Sequence, residues 1–295
     1  MKRSLPEASF SFFNHAFLGC LALLSLLPLV NILAVSFSTG YAASTGKVGL
    51  WPVDFTVSAY RFVMQNKVFW NTLVVALLRV AAGVPLNLLL VILTAYPLSK
   101  TRKEFRQRSF FSWYFLFSML FYGGLIPYYL TVQAVGLVDR FWVLILPIAV
   151  PVYYVIIMLN FFRQIPKELR EAAEIDGAGH FATLFRIYVP LSTAAIATIV
   201  LLCFIMHWNS WFDGLLFIGN VNRQPLQSYL QSILTRPFDI NQMARDPEQW
   251  KLIQFVNERT VKCAQIFIAT IPIMVIYPYL QKHFTKGLLI GAVKG

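Results

Sequence analysis

The sequence predicts an all-α, polytopic membrane helix bundle with six transmembrane helices, and three observations carry that prediction. Of its 295 residues, 58% are apolar and 13% are charged, against about 45–50% and 25% in an ordinary soluble domain. The mean hydropathy of +0.63 excludes a disordered polycation, although the net charge is +12. The basic residues sit in short clusters between long charge-free runs rather than along one polar face. That pattern belongs to a multispanning membrane protein and not to a nucleic-acid binder. Membrane lipid is therefore the first partner, and nucleic acid is not one.

A crossing helix needs about 20 predominantly apolar residues. Six segments qualify, near 15–37, 69–96, 109–131, 141–162, 191–213 and 263–281. Arg79 is the one ionisable Lys, Arg, Asp or Glu well inside these limits, and Asp213 stands on the end of the fifth. Pro28, Pro85, Pro127, Pro147, Pro151, Pro272 and Pro278 fall within the runs. Membrane helices tolerate proline where neighbours or water satisfy the freed carbonyls, so kinked helices are expected. The first run follows Lys2 and Arg3 as a signal peptide would, but its uncharged stretch from Ala16 past Phe37 exceeds the about 7–15 residues of a signal core. It reads as a retained helix.

Six crossings put both termini on one side. With the N-terminus inside, fourteen Lys and Arg lie in the inner segments and ten in the longer outer ones. The cluster Lys100, Arg102, Lys103, Arg106 and Arg108 weighs most. The bias places both termini in the cytoplasm of a bacterial inner-membrane protein. Residues 1–68 then form an N-terminal segment with the first helix and an outer loop. Residues 69–281 form a core of five helices with an inner loop at 163–190 and an outer loop at 214–262, and 282–295 form an inner tail. The larger outer loop holds Leu226, Tyr229, Leu230, Trp250 and Phe255, too apolar for a flexible linker.

Several chemistries are missing. Transporters driven by protons or sodium usually bury carboxylates in their helices, and here none lies inside a span apart from the terminal Asp213. The driving energy is expected from another chain. Gly40 to Lys47 imitates a phosphate loop but has five residues between its glycines and Val48 in place of Ser or Thr. No hydrolase motif is present, His15, His180, His207 and His283 are scattered, and Cys20, Cys203 and Cys263 suit apolar packing. The chain reads as a transport subunit without catalytic residues, metal or cofactor. A channel subunit without ATP coupling is the alternative, because pore rings come from oligomers that one sequence does not display.

The loop after the fourth run reads IPKELREAAEIDGAGHF from Ile165 to Phe181. Pro166 suits a helix start, Glu168 and Glu171 favour the positive end of its dipole, and Asp176-Gly177 can end it with a left-handed cap. A second short helix from about His180 to Tyr188 puts Phe181, Leu184 and Phe185 on one face before Pro190. Physics alone allows an amphipathic shield over the bundle's inner mouth. Glu171-Ala172-Ala173, Asp176-Gly177-Ala178, Phe185, Ile187 and Pro190-Leu191, however, resemble the EAA loop of ABC importer permeases. The resemblance runs from about Asn71 through Tyr279. The whole chain is similar to the smaller permease subunit of maltose-type carbohydrate importers, close to oligosaccharide and alginate importer permeases.

The resemblance implies a type I ABC importer permease fold. It further implies a second homologous permease, two ATPase subunits that hold ATP and Mg, and an extracytoplasmic substrate-binding protein. The EAA loop would be a coupling helix docked on an ATPase, with Glu171, Ala172, Ala173, Asp176 and Gly177 at the matching positions. The ending Lys286-Gly287 to Lys294-Gly295 is similar to tails that reach between ATPases, which makes Lys294 a contact candidate. The 214–262 loop corresponds to one that probes the binding protein, with Asn222, Arg223, Gln224 and Gln227 as candidates.

Arg79 needs compensation, since a charge deep in a span costs about 2.5–3.5 kcal/mol. It is either half of a structural salt bridge or subunit contact, or a cavity cation that attracts an acidic sugar. His207, Trp208, Asn209 and Trp211 offer hydrogen bonds and stacking faces near the outer end of the fifth run, where aromatic belts are also common. Together these five form the expected substrate path for an oligosaccharide, with an acidic one, such as alginate oligosaccharide, as the refinement.

Overall fold

In a computed structural model of the chain, residues 5–235 and 252–292 are described. All regular structure among them is helical. The described residues divide into two compact units, 5–70 with 230–235 and 252–271, and 71–229 with 272–292.

In the first unit, α1 (Leu5–Ser36) presents Phe10, Phe12, Phe13 and Phe17 outward. Its C-terminal end joins a small core of Ala34, Val35, Ala42, Ala43 and Val48. The short α2 (Gly40–Ser44) is capped by Thr39, and α3 (Ser58–Met64) follows. Gly40 donates to the Phe255 carbonyl at 2.9 Å, and a Cβ at Gly40 would lie 2.7 Å from Val256 carbonyl carbon. Glycine is required there by close approach of two backbones.

The second unit is built on the long α4 (Lys67–Ser99), which starts in the first unit and whose first amides are capped by Asn66 Oδ1. Then come α5 (Arg108–Leu120), α6 (Leu125–Ala134), 3-10 turns at Phe141–Leu144 and Leu146–Ile148, and α7 (Val152–Gln164). Next are α8 (Lys167–Ile175), α9 (His180–Thr183), a π-helical turn at Leu184–Tyr188, α10 (Val189–Leu191) and α11 (Thr193–Asn209). The chain continues through α12 (Phe212–Phe217), α13 (Leu226–Thr235) and α14 (Glu258–Ala292), the last two shared with the first unit. Asn257 and Thr260 cap α14 reciprocally: Asn257 Oδ1 accepts from Thr260 N, and Asn257 N donates to Thr260 Oγ1.

Three of the six expected spans are single helices, at Phe10–Ser36, Lys67–Ser99 and Glu258–Ile276. The other three, near 109–131, 141–162 and 191–213, correspond to helix pairs bent at a break, in keeping with the kinked helices expected. Between α5 and α6 the axis turns by 118°, before α7 by 49°, and between α10 and α11 by 84°. Each break has a local cause. Gly124 sits at φ 98° and ψ 167°, a conformation open to glycine alone, between α5 and α6. Pro147 and Pro151 interrupt the helix before α7, because neither can donate a backbone hydrogen bond. Pro190 follows the π-turn, and Ser192 at φ −104° and ψ 22° leaves helical geometry.

The main core packs Val91, Ala95 and Tyr96 of α4 against Met158 and Phe162 of α7, Leu184 and Tyr188 of the π-turn, and Ile199 and Cys203 of α11. Tyr96, Phe162 and Tyr188 meet edge to face, with centroids 5.1–6.5 Å apart.

Candidate functional site

The loop singled out in the sequence is a helical hairpin. Pro166 precedes α8 with φ −55° and ψ 137°, and Glu168 lies in its first turn. At the far end Gly177 N donates to Glu174 O at 3.1 Å, and Ala178 N donates to Ala173 O at 2.8 Å, with Gly177 at φ +76°. That pair of bonds is a Schellman cap, in which a left-handed residue turns the chain back over the last carbonyls.

The cap decides what α8 shows. Glu171, Ala172, Asp176 and Gly177 are exposed, whereas Ala173 is buried against its own chain. Ala172 alone of the two alanines is open to a partner, flanked by Ile175 at 87% exposure and Leu169 at 43%. From the inner side, Arg170 forms an ion pair with Glu104 at 2.5 Å and a weaker one with Glu174 at 3.4 Å. Glu104 Oε2 also accepts from Thr101 N at 3.0 Å. Burial works against the Glu104 carboxylate, but the Thr101 amide and Arg170 outweigh it and hold its pKa below the ordinary range. The α8 helix is thus tied to the turn that ends α4.

A second constellation lies around Arg79, which is fully buried on α4. Its guanidinium pairs with the Asp213 carboxylate through both terminal nitrogens and donates to the Ser210 carbonyl at 3.3 Å. Its Nε donates to His207 Nδ1 at 3.4 Å. His207 Nε2 then faces Asn87 Oδ1 at 2.8 Å, and Asn87 Nδ2 donates to the carbonyls of Ile148 and Ala149 at 2.7 and 3.2 Å. The directions are mutually consistent. Because Nδ1 accepts, Nε2 carries the proton, and Asn87 keeps its oxygen free to receive it. The two carbonyls are those left unpaired where proline interrupts the helix before α7.

Asp213 is fixed in turn by the Ser210 hydroxyl at 2.8 Å and its neighbouring Gly214 amide at 2.9 Å. A Cβ on Gly83 would collide with the His207 ring, and one on Gly214 would lie 2.7 Å from Pro225 Cδ. Small residues therefore let α4, α11 and the 210–228 segment close around the charges.

The remaining candidates separate. His207 and Trp208 are buried, and Trp208 stacks on Phe204 with centroids 6.0 Å apart. Asn209 and Trp211 are exposed. Asn222 and Arg223 are exposed, with Asn222 Oδ1 accepting from Asn71, whereas Gln224 is buried and donates to Ile218 O at 2.7 Å. Gln227 is half-buried, and Lys294 lies outside the described residues. Among the described residues no cluster of His, Cys, Asp or Glu could hold a metal ion.

Sequence reasoning did not find Asn87, Gly83, Glu104 or the Asp213 pairing. A signal existed for the last, since Arg79 and Asp213 are the two opposite charges inside the apolar limits and each is costly alone.

Residues 56–290 match the family described as binding-protein-dependent transport system inner membrane component. The chain belongs to that family. This permease is 39% identical over 282 residues to Protein LplC of Bacillus subtilis (strain 168), covering 96% of this chain and 94% of LplC. It is 36% identical over 286 residues to the polygalacturonan/rhamnogalacturonan transport system permease protein YtcP of the same organism, covering 97% and 98%. Among solved structures it resembles a chain of a bacterial ABC transporter involved in the import of the acidic polysaccharide alginate. The TM-score is 0.85 and the identity 33%, over 96% of this chain and 99% of that one. The expected importer permease fold and transport role hold, and an uncoupled channel is not favoured.

Proposed function

We propose that this permease pairs with a second homologous permease and two ATPase subunits to import an oligosaccharide delivered by a substrate-binding protein. ATP and Mg reside in the ATPases, and both permease termini face the cytoplasm. The observation that carries this reading is α8, a Schellman-capped helix after the fourth span that offers Glu171, Ala172 and two apolar side chains outward. A helix with an apolar tip left uncovered by the described residues suits a cleft in a partner, and Gly177 supplies the turn that keeps it projecting. Lys294 in the tail is assigned to the same partner.

An acidic oligosaccharide is the favoured substrate, supported by the substrates named for two relatives, alginate and polygalacturonan/rhamnogalacturonan. Asn209 and Trp211 are the path residues with free surface, and Asn222 and Arg223 those open to a binding protein. Arg79, His207 and Trp208 act from behind, holding the segment that displays them. The test is ATP hydrolysis by the purified assembly on adding binding protein loaded with uronate or neutral oligosaccharides. Stimulation by uronate-loaded protein that vanishes in Gly177→Val supports the reading. Solute flux with no ATPase would overturn it.

A further inference from the structure

A cavity of about 300 Å³ lies where the end of α4 meets α9, beside the coupling hairpin, and Leu93, Tyr96, Lys100, Phe105, Phe181 and Leu184 line it. Pro97, Glu104 and His180 complete the lining, so the walls are largely apolar, with polar groups at Tyr96, Lys100, Glu104 and His180. Lys100 and Tyr96 are 8% and 7% exposed, and neither Lys100 Nζ nor Tyr96 Oη has a hydrogen-bond partner among the described residues. The ammonium rests against two rings, 4.2 Å from the Tyr96 centroid and 4.9 Å from that of Tyr188. Ring faces attract a cation but accept none of its three N–H bonds in the manner of an anion. Glu104, the nearest carboxylate in the sequence, is engaged by Arg170 and Thr101. Burial and the nearby Arg170 charge lower the Lys100 pKa, as expected of a cation short of a counterion.

Lys100 and Tyr96 line this largely apolar cavity while their unpaired polar atoms stay covered, so a turn of the Lys100 side chain off the two rings would present its ammonium to a ligand with an anionic head and a hydrocarbon body. Phe181, 72% exposed, brings the cavity to the surface, and Arg102, Lys103 and Arg106 stand exposed on the adjoining turn. Basic clusters at the inner ends of membrane helices draw anionic lipid heads to such pockets. The volume equals about ten water molecules, room for a stretch of acyl chain but generous for an isolated ion. We propose that this cavity binds an anionic phospholipid of the inner leaflet, its phosphate taken by Lys100 and Tyr96 and its chain by Leu93, Phe105, Phe181 and Leu184. The inference rests on the proposed function only in placing this face at the cytoplasmic leaflet. A lipid seated there would brace the base of α9 and hence the coupling hairpin.

The experiment is native mass spectrometry of the delipidated full chain titrated with phosphatidylglycerol, phosphatidylethanolamine or inorganic phosphate. The expected result is preferential retention of one phosphatidylglycerol. Lys100→Gln should weaken it about fivefold, and Tyr96→Phe, which keeps the ring, should weaken it less. Arg140→Gln, exposed but outside both the cavity and the basic turn, should leave it unchanged. Equal weakening by Arg140→Gln, equal retention of both lipids, or full displacement by inorganic phosphate would overturn the lipid assignment. Lipid retention is read without ATPase, so a failed importer reading leaves this result standing.

Discussion

Replacing Asp213 by Asn should destabilise the permease by about 3–5 kcal/mol, the usual penalty for stranding a buried charge. Arg79 is 0% exposed and its terminal nitrogens both reach Asp213. With Asn in its place, the guanidinium keeps one amide oxygen, the Ser210 carbonyl at 3.3 Å and His207 Nδ1 at 3.4 Å as acceptors, all uncharged, and loses its counterion. The reverse change is milder. The Asp213 side chain is 18% exposed and keeps the Ser210 hydroxyl and Gly214 amide, so Arg79→Gln should cost about 1.5–3 kcal/mol. The double variant removes both charges and should cost clearly less than the sum of the two. Denaturant titration of the solubilised full chain, run as a double-mutant cycle, measures all three. Strict additivity, or an Asp213→Asn loss under about 1 kcal/mol, would refute the buried pair and return Arg79 to the role of a free cavity cation.

Gly177→Val should change stability by only about 1–2 kcal/mol, the cost of a side chain in left-handed geometry, yet abolish binding-protein-stimulated ATP hydrolysis while membrane insertion persists. Gly83→Ala should cost about 1–3 kcal/mol through overpacking, because the His207 ring must move away from Asn87, and a rise in denaturant sensitivity would report it. Gly124→Ala should cost about 1–3 kcal/mol of backbone strain, whereas unchanged stability would mean that the turn between α5 and α6 adopts another path. For Glu104, whose folded pKa is lowered, the stabilisation is present above the unfolded value near about 4.3 and is lost as pH falls through the folded pKa. The stability gap between the native chain and Glu104→Gln should therefore narrow in that acid window and stay constant at neutral pH.

Periodicity and charge gaps located the apolar segments because the bilayer leaves few alternatives, and helices at Phe10–Ser36, Lys67–Ser99 and Glu258–Ile276 answer to them. The breaks were harder to read. Proline was visible at 147, 151 and 190, but whether a proline bends or ends a helix depends on who receives the freed carbonyls, and Asn87 lies some sixty positions away. Gly124 could not be told from any other glycine without its φ of 98°. The α8 hairpin was legible almost residue by residue, since capping is local. What the hairpin displays was not, because the burial of Ala173 beside exposed Ala172 is set by the helix's rotation against its own core.

Those two levels meet in one stretch of chain. The hairpin α8–α9 runs through the π-turn and α10 directly into α11, which carries His207 and leads to Ser210 and Asp213. A displacement of α8 has a short covalent route to the Arg79 network, through a segment already bent by 84° at Ser192. A π-turn and a proline break are where a helix yields at least cost, since their hydrogen-bond ladder is already interrupted. The far end of the same segment is the opposite case, pinned by a buried ion pair and by the Asn87 bonds to the carbonyls of Ile148 and Ala149, ahead of α7. Motion at the hairpin is then best absorbed at Ser192 with α11 moving as a rod together with α4. Cross-linking α4 to α11 should preserve transport, while a cross-link spanning Ser192 should arrest it; arrest by both would mean that α11 slides along α4 and that the buried network must break in each cycle.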